Sequence, residues 1–170
     1  TRIACQTENL TTKEPDLSFV NRVDSMDSDA DVVVVFGGTN DFGHGDAKLG
    51  TFESRDPYTF YGAMHVLCEK LINRFPNADI LFMTPLHRCS EDELSKENGL
   101  PEETNLAGYV SIIREVAEFY GLPVLDLFST SGLQPKVNII KETYMPDGLH
   151  PSDAGALRIA LRLMGFLQTL

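Results

Sequence analysis

The chain has 170 residues, 42% of them hydrophobic and 23% charged, which suits one ordinary core and a single domain over 1–170. A net charge of -11 opposes nucleic acid and anionic membrane, because phosphate binding relies on clustered Lys and Arg. No stretch reaches the roughly 18 consecutive apolar residues of a spanning helix, so no integral membrane association is expected, and no signal in the chain distinguishes a cytoplasmic from a secreted protein.

In chain order, residues 1–10 show little periodicity, and Thr11 to Pro15 reads as a polar loop with a cap at Thr12. Asp16 to Met26 places Leu17, Val20 and Val23 at helical spacing. The run Val32 to Phe36 is a continuous apolar strand, predicted to be covered on both faces and stopped by Gly37-Gly38-Thr39-Asn40-Asp41. Phe42 to Asp56 holds Gly43, Gly45 and Gly50 without a hydrophobic period and is expected to be a loop above the sheet. Asp56-Pro57 reads as a helix start, after which Phe60, Met64, Leu67, Leu71 and Phe75 follow one face.

Asp79 to Thr84 is a second buried strand, and His87 to Glu103 is a long polar segment of the kind that often forms lids or binding loops. Leu106, Tyr109, Val110, Ile113, Val116, Ala117 and Tyr120 mark an amphipathic helix closed by Gly121. Val124 to Phe128 is a third strand, Ser129 to Tyr144 a loop with a short helix, and Ser152 caps a last helix whose Leu157, Ala160, Leu161 and Met164 are expected to face inward. Helices alternating with buried strands predict a doubly wound parallel α/β sheet with helices on both faces. Cys5, Cys68 and Cys89 make neither an even disulfide framework nor a C-x-x-C pair and are read as buried thiols.

Two short blocks carry chemistry. Asp147 and His150 stand three apart in a Gly- and Pro-bounded loop, where a carboxylate accepts the Nδ1 proton of the imidazole and readies Nε2 to act as a base. Such a pair also occurs as a satisfied surface hydrogen bond. Asn40, at the end of the central strand, supplies a carboxamide N–H suited to an oxyanion, although a turn residue reads the same way. In open α/β sheets ligands bind beyond the carboxyl ends of strands, where Asn40 and Asp41 both stand.

Gly38-Thr39-Asn40-Asp41 after a strand, with Asp147-Gly148-Leu149-His150-Pro151-Ser152 before the last helix, resembles the SGNH hydrolases, also called GDSL esterases and lipases. The resemblance covers nearly the whole chain. It implies a three-layer α/β/α fold of SGNH or flavodoxin-like type, with Gly38 and Asn40 at the oxyanion, His150 as general base and Asp147 as its orienter. It also implies a small-molecule ester as substrate, with short acyl, acetylated carbohydrate and lipid esters all compatible, and neither metal nor organic cofactor. The family keeps its nucleophile in a Gly-Asp-Ser turn after an N-terminal strand, and no Gly-Asp-Ser occurs here. The chain is therefore expected to begin part-way through the fold, lacking about one βαβ unit of roughly 30 residues or more. Its serine would come from a segment outside this chain, and the strand Val32 to Phe36 would have an open edge for something to fill.

Within the chain, Asp24-Ser25, Ser90 and Ser129 are weaker nucleophile candidates. Thr1 as an N-terminal nucleophile belongs with stacked antiparallel sheets, and the Gly43 to Lys48 turn lacks the third glycine of a nucleotide fingerprint. Asp41-Phe42-Gly43 matches the kinase magnesium motif by chance, since His87-Arg88-Cys89 stands in the wrong order. His44 and His87 follow strand ends and are candidates to touch substrate, whereas His65 lies within a helix. Four scattered histidines offer no zinc spacing. The alternative function is a non-catalytic ligand-binding protein on the same fold.

Overall fold

The computed structural model describes residues 1–6, 17–44, 47–93 and 104–170. The Thr12 cap, Gly45 and the latter part of the polar segment from His87 to Glu103 lie outside the described residues. The elements run α1 (Phe19–Arg22), β1 (Val32–Phe36), α2 (Thr39–His44), α3 (Phe60–Arg74), β2 (Asp79–Met83), α4 (Leu106–Phe119), β3 (Val124–Leu125), α5 (Leu127–Thr130), α6 (Asn138–Tyr144) and α7 (Asp153–Leu167).

The strands are parallel in the order β1-β2-β3, with Val34 opposite Leu81 and Phe36 opposite Met83. Because side chains alternate along a strand, Val33, Val35, Ile80 and Phe82 enter one core with α3 and α4. Leu81, Met83 and Leu125 enter a second core with Leu127, Leu133 and Met145, against which residues of α6 and α7 pack. The sheet is thus the middle layer of three.

Several elements differ from expectation. Ser18 caps α1, which gives way at once to a 3₁₀ turn over Val23–Ser25. Asp56 does not cap α3; it accepts from Tyr58 N–H (3.0 Å), and Thr59 is the N-cap, accepting from Gly62 N–H (3.2 Å). The third strand stops at Leu125 because Asp126 caps α5, accepting from Ser129 N–H at 3.2 Å. Cys5 and Cys68 are buried as free thiols, but Cys89 is exposed.

The largest corrections concern β1 and α7. Only one face of β1 is covered among the described residues: Val32, Val34 and Phe36 are 40–44% exposed. On α7, Leu157, Leu161 and Met164 are 58–62% exposed and Ala160 is also exposed, whereas Ile159, Leu163, Phe166 and Leu167 pack inward. The exposed β1 row lies on the sheet face of Leu81 and Met83, the face served by α7. The three strands among the described residues leave part of the apolar arc of that helix uncovered. No strand pairs with the outer edge of β1 among the described residues, and the groove there is lined by Phe19, Val23, Met26, Val33 and Val35.

Candidate active site

The turn out of β1 is made by Gly38, whose φ of +101° lies in the left-handed region that favours glycine. A Cβ at Gly38 would stand 3.0 Å from Ile113 Cδ1, so the bare backbone also lets α4 pack closely beneath. The chain then enters α2, a helix where a loop is expected, with Phe42 N–H donating to the Gly38 carbonyl at 3.1 Å. Within α2, Asn40 and Asp41 part company. Asn40 Nδ2 donates to the Thr1 carbonyl at 3.0 Å; a carboxamide has two N–H bonds, so this contact fixes the group and leaves a second donor.

Asp41 is fully buried, accepting from Ile3 N–H at both oxygens (3.1 and 3.0 Å) and from Ala4 N–H (2.9 Å). Its role is to pin residues 3–4 beneath α2, away from the mouth. Burial pushes its carboxyl up to about 6, against the opposing pull of the Ala4 and Ile3 N–H groups.

The second block is a tight turn held between α6 and α7. Gly148 has φ +77° and donates to the Met145 carbonyl at 2.8 Å. Ser152 Oγ donates to the Thr143 carbonyl (2.8 Å) and accepts from Gly155 N–H (3.3 Å), capping α7 as expected. Asp147 Oδ2 meets His150 Nδ1 at 2.7 Å, while Oδ1 accepts from the backbone N–H of Leu149 (2.8 Å) and His150 (2.7 Å). The His150 hydrogen bond, followed by these N–H groups, holds the Asp147 carboxyl well below the usual carboxylate range. The pair is open to solvent, with the His150 side chain 75% exposed.

The two blocks meet at one cavity of about 180 Å³ at the carboxyl ends of the strands, lined by Phe36, Asn40, Pro85, Leu86, Leu149 and His150 among others. Gly37 rather than Gly38 lines it, the latter serving the turn beneath. No serine hydroxyl bonds the His150 imidazole among the described residues. Ser25 Oγ donates to the Arg22 carbonyl, Ser90 Oγ accepts from Arg88 Nε, and Ser129 Oγ accepts from Arg114 Nη2. Among the described residues no three His, Cys, Asp or Glu side chains gather as metal ligands.

Of the remaining histidines, His65 is fully buried and reaches Tyr120 Oη at 3.1 Å. His87 pairs through Nδ1 with Glu91 Oε2 (2.7 Å), its ring centroid 4.0 Å from that of Phe128 with the planes tilted by 36°. Neither His44 nor His87 lines the cavity. Sequence reasoning missed Arg88, Cys89 and Glu91, whose contacts link the two blocks; a Glu within a polar stretch carries no periodic or motif signal of burial.

A parallel three-layer α/β domain in which Asn40 and the Asp147-paired His150 line one cavity defines a class, the α/β proteins with a site at the carboxyl ends of the strands. The family model for GDSL-like lipases and acylhydrolases matches residues 6–158, and the chain belongs to that family of carboxylic ester hydrolases. One solved structure is 40% identical with a TM-score of 0.82, matching 99% of this chain and 75% of its own. A protein from Lactobacillus plantarum is 31% identical (TM-score 0.79, 92% of this chain and 75% of that one). A possible lipase from Chitinophaga pinensis, 22% identical (TM-score 0.65, 89% and 77%), shares the fold. No curated protein matches the chain.

Proposed function

We propose that this chain carries most of a serine ester hydrolase acting on small or carbohydrate esters, with the nucleophile delivered by a segment outside it. The observation that carries the reading is the single cavity shared by Asn40 and His150, with Asp147 Oδ2 2.7 Å from His150 Nδ1. His150 Nε2 takes the proton of the serine hydroxyl as its oxygen attacks the ester carbonyl. The resulting oxyanion receives the second Asn40 N–H and backbone N–H groups. The imidazolium, steadied by Asp147, gives its proton to the leaving alkoxide as the C–O bond breaks; water then releases the acyl group by the same route.

The lining residues Phe36, Pro85, Leu86 and Leu149 suit a short acyl group. The outer edge of β1, unpaired among the described residues, supports the placement of the nucleophile: a strand laid parallel along it would end beside Gly37, at the cavity mouth. The rival reading, a ligand-binding protein, draws on the lack of a serine bonded to His150 among the described residues. Hydrolysis of p-nitrophenyl acetate by the full-length gene product separates the two. The hydrolase reading expects turnover that His150→Ala reduces by roughly 10³-fold or more; turnover unchanged by that substitution rejects it.

A further inference from the structure

The segment after β2 touches both blocks at once. Arg88 Nη1 donates to the carbonyl of Thr39, the residue before Asn40, at 3.4 Å, and the guanidinium carbon stands 5.2 Å from the centroid of the Phe42 ring on the same helix. Cys89 N–H donates to the Gly148 carbonyl at 2.9 Å, and its sulfur fills the space a Gly148 Cβ would need, 2.5 Å away. Arg88 and Cys89 are neighbours, so two consecutive residues span the gap between α2 and the Asp147–His150 turn.

This bridge is anchored by a buried carboxylate. Glu91, 6% exposed, takes Arg88 N–H (3.1 Å) and His87 Nδ1 (2.7 Å) on Oε2, and Gln134 Nε2 (3.0 Å) and Lys136 Nζ (3.1 Å) on Oε1. Its main-chain carbonyl accepts from Leu106 N–H, at the start of α4, at 3.1 Å. A carboxylate is taken out of water only where donors compensate it; one of these donors, the Arg88 N–H, lies on the bridge itself, and another, His87, directly precedes it.

We propose that Glu91 is a positioning residue that locks the Arg88–Cys89 bridge and thereby sets the separation of the Asn40 carboxamide from the His150 imidazole. The inference rests on the reading of those two groups as oxyanion donor and base. A reacting geometry is sensitive to displacements of about 1 Å, which cost about 100-fold in rate. A lapse in the bridge is therefore felt in turnover before it is felt in binding.

The test uses the full-length protein with Glu91→Gln, which keeps the volume but turns an NH₂ toward donors. A second variant, Gln134→Leu, removes one donor from the outer side and leaves the bridge residues in place. Glu91→Gln is expected to lower kcat for p-nitrophenyl acetate by roughly 10- to 100-fold with KM little changed, and Gln134→Leu by less. In both, the NMR signals of the Asn40 side-chain amide and the His150 ring are expected to shift. Unchanged kcat and unmoved signals, with only a lower Tm, overturn the proposal and leave Glu91 as a stabilising ion pair. If Glu91→Gln fails to fold, Gln134→Leu decides by the same readouts. His150→Ala run alongside separates the two ideas: full activity in that variant defeats the base assignment, whereas the NMR shifts judge the bridge regardless.

Discussion

Asp41 and Asp147 show how little residue type says about carboxylate behaviour. Asp147 is largely solvated and receives three hydrogen bonds, so it ionises readily. Asp41 is fully buried, and desolvation raises its carboxyl from 3.8 to about 6. Between those two values the folded protein holds a proton that the unfolded chain has lost. The Asp41 contribution to stability is therefore full below about pH 4, falls as pH rises, and is gone above about pH 6. The loss is on the order of 3 kcal/mol at about 1.4 kcal/mol per unit. Asp41→Asn removes that dependence, so its unfolding free energy relative to wild type is expected to improve by about that amount between pH 4 and pH 7. Parallel urea titrations of the two proteins that show a pH-independent difference contradict the account. The Asp147–His150 contact and the position of Asn40 at the strand end were legible because each rests on a short, local pattern. The inward turn of Asp41 was not, because its donors Ile3 and Ala4 are remote in sequence and the helix that aims it spans only six residues.

Among elements, α4 was legible throughout, since its buried positions follow one face from Leu106 to Ala117 and Gly121 closes it at φ +66°. The buried face of α3 was equally clear, yet its start moved from Asp56 to Thr59 because several adjacent residues can cap and only the backbone path chooses among them. On α7 the apolar residues occupy a wide arc, and tertiary contacts alone decide which part of it turns inward. The turn before α7 gives the sharpest prediction at this scale. Gly148→Ala combines a left-handed φ of +77° with a Cβ 2.5 Å from Cys89 Sγ, so a loss of about 1–3 kcal/mol is expected. Pairing it with Cys89→Ala is expected to recover the steric part and leave the backbone strain. No recovery in thermal or urea unfolding would show that the two residues do not collide.

At the scale of the molecule, the exposed rows on β1 and α7 share one side of the sheet, where a covering element has apolar surface ready for it. Among the described residues the exposed row on α7 was not legible in the sequence, because a helix pattern does not reveal how wide a sheet lies beneath it. The fold's central consequence is that β1 and the α6–α7 turn bring two remote blocks to one cavity. The most direct measurement is kcat/KM for p-nitrophenyl acetate in full-length Asn40→Ala. With Asn40 as an oxyanion donor, the loss is expected to be about 10²- to 10³-fold and to fall mainly on kcat. A rate equal to wild type, or a loss confined to KM, would contradict the claim that Asn40 and His150 act on the same carbonyl.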